Sequence, residues 1–381
     1  MALNRGSQVI TTIDGGFRPK DISNEIFKLK PDQKTLLTLI QGKNKISVDD
    51  YEYRINIQDI APSTITMSVA FAGNVTGCTV EQAKSLRIGT TLRLNETVAT
   101  YVTAVTYATG AFTVADITGF TANDIVLVGG TAAEELSNRP TPIAKIPTQV
   151  TNYVQTQRDA WGLSRHAQNT RYYGGNRYFH SREDCLFEHG RFVDRELWFG
   201  VKLEGTQNSQ KLFKTSGMLA SITTNVHSFT SQQINHDKVR NNMITDCRFM
   251  LSSRLWLFVS RKGAALWDKI VYDKGQPIEW ETAANLRYGK IGMANKELLL
   301  FVVDHFEASM DGTMVLVEPD AIEVVTTKDQ RTGQRQWMLE KRFEGDDSTG
   351  PDGILGEIMT DFGLRIDERR CAMWKDADSV A

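Results

Sequence analysis

Between residues 358 and 367 apolar and polar positions alternate, with Ile358, Thr360, Phe362, Leu364 and Ile366 on one side and Met359, Asp361, Gly363, Arg365 and Asp367 on the other. A period of two predicts a half-buried strand, with Phe362 toward the core and Asp361 on the opposite side. The run AIEVVTTKD, around 322–325, is the expected partner, and a polar, Gly-containing excursion from 330 to 353 separates the two. The same period recurs at Tyr51, Tyr53, Ile55 and Ile57.

A helical period governs other segments. Ile22, Ile26 and Leu29 fall in register in DISNEIFKL, and PDQKTLLTLIQG reads as a second short helix opened by Pro31 and closed by Gly42. The strongest helix is predicted over 181–203, where Leu186, Gly190, Val193, Leu197 and Val201 form one stripe with Phe192 and Phe199 beside it. Ser181 and Asp184 give it a start like a capping box, and at 1.5 Å per residue it measures roughly 35 Å. Gly190 and Gly200 lower its helix propensity and point to close packing.

From about 73 to 137 the composition shifts to Thr, Val, Ala and Gly, and TLRL, TVATYVTAVTY, AFTVADI and DIVLVGG are set apart by turn residues. These short runs predict a small all-β unit inserted into a long loop, since RPTPIAKIPTQVTNYVQTQRDAWGLS then resumes as an extended return strand. A compact mixed region follows: NHDKVRNNMITDCRFML as a helix, LWLFVS as a buried strand and RKGAALWDKIV as a helix. KELLLFVVDHFE and TMVLVE, joined by SMDG, read as a hairpin.

The chain has 381 residues, 41% apolar and 24% charged, with a formal net charge of -2. That length allows two or three cores, and the near-neutral charge disfavours a dedicated nucleic-acid binder. The four cysteines, Cys78, Cys185, Cys247 and Cys371, form no C-x-x-C pair and read as free thiols of a reducing compartment. The longest apolar run, 298–303, is too short to span a bilayer, so no membrane partner is expected. Residues 1–20 are polar and without a period, the pattern of an arm that cannot fold alone.

Each candidate for chemistry falls short of its requirements. The Asp-Phe-Gly at 361–363 matches the magnesium-binding triplet of protein kinases, yet the chain lacks their phosphate loop, strand lysine and H-R-D, and 331–344 carries neither His nor Asp. Of His180, Cys185 and His189, only the last two share a helix face, fewer than a zinc site needs. In the loop DDSTGPDGILGE, Asp346 and Glu357 have calcium-loop spacing, but Pro351 stands where the turn Gly belongs and Gly350 replaces a ligand. His166, His227, His236 and His305 lie apart in sequence, and nothing marks a Ser/His/Asp site. No catalytic, cofactor-binding or metal residue is assigned, and no enzyme activity or cofactor is expected. The run 165–182 interleaves Arg165, Arg171, Arg177 and Arg182 with Tyr172, Tyr173, Tyr178 and Phe179, which suits a protein interface better than stacked nucleotides in so neutral a chain.

The segments LLTLI, VTNYVQTQRDAWGLSRHAQNT, TSGMLASITTN and GEIMTDFGLRIDERRCAMW, in this order, resemble the major capsid proteins of tailed bacteriophages, of the Hong-Kong-ninety-seven-type fold. Specifically, the sequence looks like the branch whose extended loop carries an inserted β domain. The resemblance implies an α+β fold with an N-terminal arm (1–50) and an extended loop (51–145) holding the insertion at about 73–137. It further implies a peripheral domain (146–210 and 321–366) with spine helix 181–203, and a mixed α/β axial domain (211–320 and 367–381). It also implies self-assembly into hexamers and pentamers of an icosahedral shell enclosing double-stranded DNA, held by weak non-specific contact. A separate scaffolding protein, a portal and a decoration protein are the implied partners, with assembly in the host cytoplasm and residence in the virion. Two alternatives stand beside it: the shell of a bacterial nanocompartment, and a nucleic-acid-binding module using the Arg/Tyr run 165–182.

Overall fold

The alternating segment near the C-terminus forms the middle of a five-stranded sheet, as the strand Gly353–Ile366. This computed structural model describes residues 34–43, 45–58, 63–67, 73–133, 135, 147–170, 176–229, 233–272, 278–283, 286–293, 295–306, 310–344, 353–377 and 379–380. The expected arm at 1–20, the helical pattern at 21–29 and the positions Arg171, Tyr172, Tyr173, Asp346, Gly350 and Pro351 lie outside them.

The expected partner is observed: Ile322–Thr327 runs antiparallel to the central strand from Ile322 opposite Ile366 to Val325 opposite Gly363. On the other edge, Gln155–Ser164 pairs from Gln155 opposite Phe362 to Ser164 opposite Gly353. A further strand, Leu339–Glu344, pairs with 354–359 inside the segment expected to be a polar excursion. Its sequence LEKRFE has too few apolar positions to announce a strand.

Phe362 is fully buried as expected, but the strand is not half-buried, because Asp361 is only 2% exposed. The chain before Leu339 runs along the edge of the strand there, and the Asp361 N–H donates to the Gln336 carbonyl at 2.7 Å. The hydroxyls of Thr156, at 2.6 Å, and Thr327 donate to its carboxylate, so the buried charge is satisfied by hydrogen bonds.

The long helix runs Arg177–Phe199, four residues earlier at each end than the expected 181–203. Its cap is Asn176, whose side chain accepts from the Tyr178 N–H, rather than the Ser181 box. Gly200 ends the helix in an extended conformation, so Val201 leaves the stripe and is 67% exposed. An added Cβ at Gly200 would lie 2.5 Å from the Glu196 carbonyl oxygen and 2.6 Å from that of Thr215, which only glycine tolerates.

Val193, Leu197 and Trp198 of this helix bury against Leu36, Leu37 and Ile40 of the short helix Thr35–Gln41. Each such side chain contributes about 1.5–3 kcal/mol. The short helix has no side-chain cap of its own. Asp194 of the long helix replaces it, accepting the Leu37 N–H at 2.6 Å.

The mixed region holds a seven-stranded sheet whose order starts Val226–Ser228, Cys371–Lys375, Met314–Val317, Arg254–Val259 and continues Lys296–Val302, Leu286–Met293, Glu279–Ala283. The expected hairpin between 296–302 and 314–317 does not form: Arg254–Val259 lies between them, parallel to the first and antiparallel to the second. Leu255, Leu257 and Val259 face one core with Trp267 of the helix Arg261–Tyr272, while Phe258 and Val315 face the core shared with the long helix. With both faces buried, the strands are continuous apolar runs whose periodicity does not reveal their neighbours.

Asn56–Val150 is a separate unit. It contains a six-stranded all-β sheet, Thr64–Thr66, Ile125–Thr131, Thr90–Arg93, Ala99–Thr106, Ala111–Val114, Val75–Gly77, around a core that includes Leu92, Val102 and Phe112. The unit runs wider than 73–137 at both ends and includes a one-turn helix, Val80–Ala83, that its composition did not announce. The strands Glu52–Ile57 and Thr148–Tyr153 pair where the chain passes into it and out again.

Candidate assembly surfaces

The residues most suggestive of chemistry are committed to the interior. His189 is buried, its Nδ1 2.6 Å from Asp159 Oδ2 and its Nε2 2.7 Å from Thr360 Oγ1, which leaves neither ring nitrogen for a metal. Nδ1 faces the Asp159 carboxylate and Nε2 the Thr360 hydroxyl, whose oxygen also accepts the Met338 N–H. The order Thr-His-Asp matches that of a nucleophile relay, but Thr360 is 0% exposed in mid-strand, so no substrate carbonyl can reach it. The relay instead ties the long helix to two strands. Among the described residues no group of three or more His, Cys, Asp or Glu is placed to hold a metal, and no helix is long and apolar enough to cross a membrane.

His227 pairs with Asp246 at 2.8 Å, and His305 lies 3.2 Å from Asp194. Burial raises both carboxyls above the usual Asp range, opposed by the histidine beside each. All four cysteines are free, and burial pushes the Cys78 and Cys247 thiols up to about 11. Glu318 behaves oppositely: burial pushes it up, but hydrogen bonds from Arg370 and Ser252 outweigh that and bring its pKa down to about 2.

The Arg/Tyr run is divided by the structure. Tyr178 meets the Trp161 ring edge-on at 4.9 Å, with the Arg342 guanidinium 5.4 Å over its own ring. Arg182 grips Glu340 with two nitrogens at 2.6 and 2.7 Å. These contacts dock the start of the long helix on the strands 155–164 and 339–344, so neither residue is available for stacking or gripping nucleic acid. Trp161 in turn lies flat over Gly356, where an added Cβ would sit 2.2 Å from its ring.

What remains exposed is apolar in unusual places. Opposite the helix-covered face, Phe343, Leu355 and Gly162 form one cross-strand row, with Phe343 52% and Leu355 39% exposed. Between the strand Gln155–Ser164 and the long helix lies a groove of about 530 Å³, lined by Gln157, Asp159, Phe192, Arg195, Glu196 and Phe199. Leu251 projects with 87% exposure, and on the separate β unit Ile125, Leu127 and Tyr101 stand on the outer sheet face. The cross-strand row and the groove are the places where exposed apolar side chains lie side by side, as contact surfaces between proteins require. Sequence periodicity missed Phe343 and Leu251, because a lone apolar residue in a polar segment carries no period.

The SU10 major capsid protein family model matches residues 5–365. The chain belongs to that family. A major capsid protein of Pseudomonas phage PaMx41 is 35% identical over 102 residues, a match that spans 26% of this chain and only about a quarter, 24%, of that relative. Among solved structures, the capsid of a native GTA particle aligns over 98% of this chain and 99% of its own, with a TM-score of 0.52 at 8% identity. A structure from Gordonia phage Cozz aligns over 99% and 97%, with a TM-score of 0.50 at 13% identity. At such identities the likeness is one of fold, and the fold is the tailed-phage capsid type that the sequence resembled.

Proposed function

We propose that this chain is the building block of an icosahedral viral shell, assembling with itself into hexamers and pentamers around double-stranded DNA. The observation that carries this reading is the family match, which runs through nearly the whole chain. The apolar rows and groove left uncovered in the single subunit support it, as does a net charge of -2, which suits a wall that confines DNA without gripping it. The role is structural rather than catalytic.

In this reading residues 1–50 are an arm, 51–145, which takes in most of the separate unit, is the extended loop with its β insertion, and 146–210 with 321–366 form the peripheral domain. The seven-stranded region, 211–320 with 367–381, is the axial domain. A separate scaffolding protein and a portal join it during assembly in the host cytoplasm, and a decoration protein is a further partner in the virion.

Electron microscopy and light scattering of the expressed protein test the proposal. Closed particles of uniform size are the expected result, and a 42.8 kDa monomer in every salt and scaffold condition refutes it. Nuclease-protected DNA in particles from infected cells distinguishes a viral shell from a nanocompartment, which encloses protein cargo.

A further inference from the structure

The loop that carries Leu251 is fixed on both sides of an apex that touches little. Met250, 3% exposed, anchors it from below. The Lys296 ammonium donates to the Met250 carbonyl at 3.0 Å and to the Ser252 carbonyl at 2.7 Å. The Ser252 N–H donates to Glu318 Oε1 at 2.6 Å, and Arg370 holds the other oxygen of that buried carboxylate at 2.5 Å. Groups from three separate parts of the chain thus converge on residues 250 and 252. Leu251 between them is 87% exposed, with Ile244 at 58% and Phe249 at 41% nearby.

An apolar side chain on an immobilised backbone has little ordering entropy left to lose when it is covered, which is the character of an interface anchor. The same chain carries a recess of suitable chemistry. The groove between the strand Gln155–Ser164 and the long helix has Phe192 and Phe199 as apolar walls, and Asp159 and Glu196 outnumber Arg195 at its rim. Exposed Arg248, its guanidinium 5.5 Å over the Phe249 ring, lies three residues before the knob and carries the opposite charge to that excess.

We infer that Leu251 of one copy seats against Phe192 and Phe199 in the groove of the next, with Arg248 facing Asp159 and Glu196. This contact rests on the shell reading and specifies one of its interfaces. Because knob and groove are different patches of one chain, the contact is head-to-tail, the kind that makes a ring when its rotation divides a full turn, as it does in a hexamer or pentamer.

The test compares full-length wild type, Leu251→Asp, and a double variant Leu251→Cys with Phe192→Cys alongside each single cysteine variant. Under mild oxidation the double variant gives a ladder of covalent oligomers that neither single variant gives. Leu251→Asp lowers particle yield at least tenfold while the melting midpoint of dissociated subunits stays at the wild-type value, because the residue is already in water. Normal particles from Leu251→Asp, or no ladder from assembled double variant, overturn the contact and leave the shell reading standing. A wild-type chain that never assembles overturns both.

Discussion

Glu318 offers the sharpest test of the interior electrostatics. Its carboxylate is fully buried in the fold and receives the Arg370 guanidinium and the Ser252 N–H, which bring its pKa from 4.5 to about 2. At ~1.4 kcal/mol per tenfold change in proton affinity, that displacement corresponds to about 3 kcal/mol of stability. A carboxyl whose folded-state pKa is depressed contributes fully above its unfolded value, so the contribution is present above pH 4.5 and fades as pH falls toward 2. Glu318→Gln keeps an oxygen for Ser252 but removes the charge opposite Arg370. The variant is therefore expected to be less stable than wild type by about 3 kcal/mol at pH 7, and the gap should close by about pH 2, where the wild-type side chain is itself neutral. Urea unfolding of dissociated subunits, run in parallel at pH 7, 4 and 2.5, measures the gap. Other titrating groups, such as Asp194 and Asp246, cancel in the comparison. A gap of constant size across that range would sink the argument, because it would show that the ion pair is not what Glu318 contributes.

Phe362→Ala empties a fully buried ring from the core beneath the long helix and should cost about 3–5 kcal/mol, read as a lower urea midpoint. Asp361→Ala removes the acceptor for the Thr156 and Thr327 hydroxyls and should cost about 1–3 kcal/mol, also by urea midpoint; an unchanged midpoint would mean the side chain lies in solvent. Arg182→Ala frees Glu340 and should cost about 1 kcal/mol while leaving DNA retention on a heparin or DNA column unchanged, whereas a nucleic-acid module would lose retention.

Much of the architecture was legible because period survives in sequence. The 358–367 alternation marked a strand and its partner, the Thr- and Val-rich stretch marked an all-β unit, and the apolar stripe marked the long helix. The failures share a cause: contacts between distant segments leave no local trace. Nothing near Asp361 says that Thr156 and Thr327, far away in sequence, will meet its carboxylate. Nothing in LEKRFE says that a fourteen-residue strand waits for it, and the fully apolar strands at 255–259, 298–302 and 314–317 cannot reveal their order in the sheet. The Asn176 cap was missed because Ser181 and Asp184 have the right spacing one turn too late. The His189 relay could not be read either, since its three members come from residues 159, 189 and 360.

The ladder between Gln155–Ser164 and Gly353–Ile366 also has a mechanical meaning. Its two strands overlap from Gln155 opposite Phe362 to Ser164 opposite Gly353 and run antiparallel throughout. A pull directed along the strands loads every hydrogen bond of the overlap together, as in a lap joint. A pull across them would open the ladder one rung at a time, like a zip. Tension transmitted along the central strand therefore meets the fold in its strong direction, and the long helix, pinned to both strands through His189, keeps the joint from peeling.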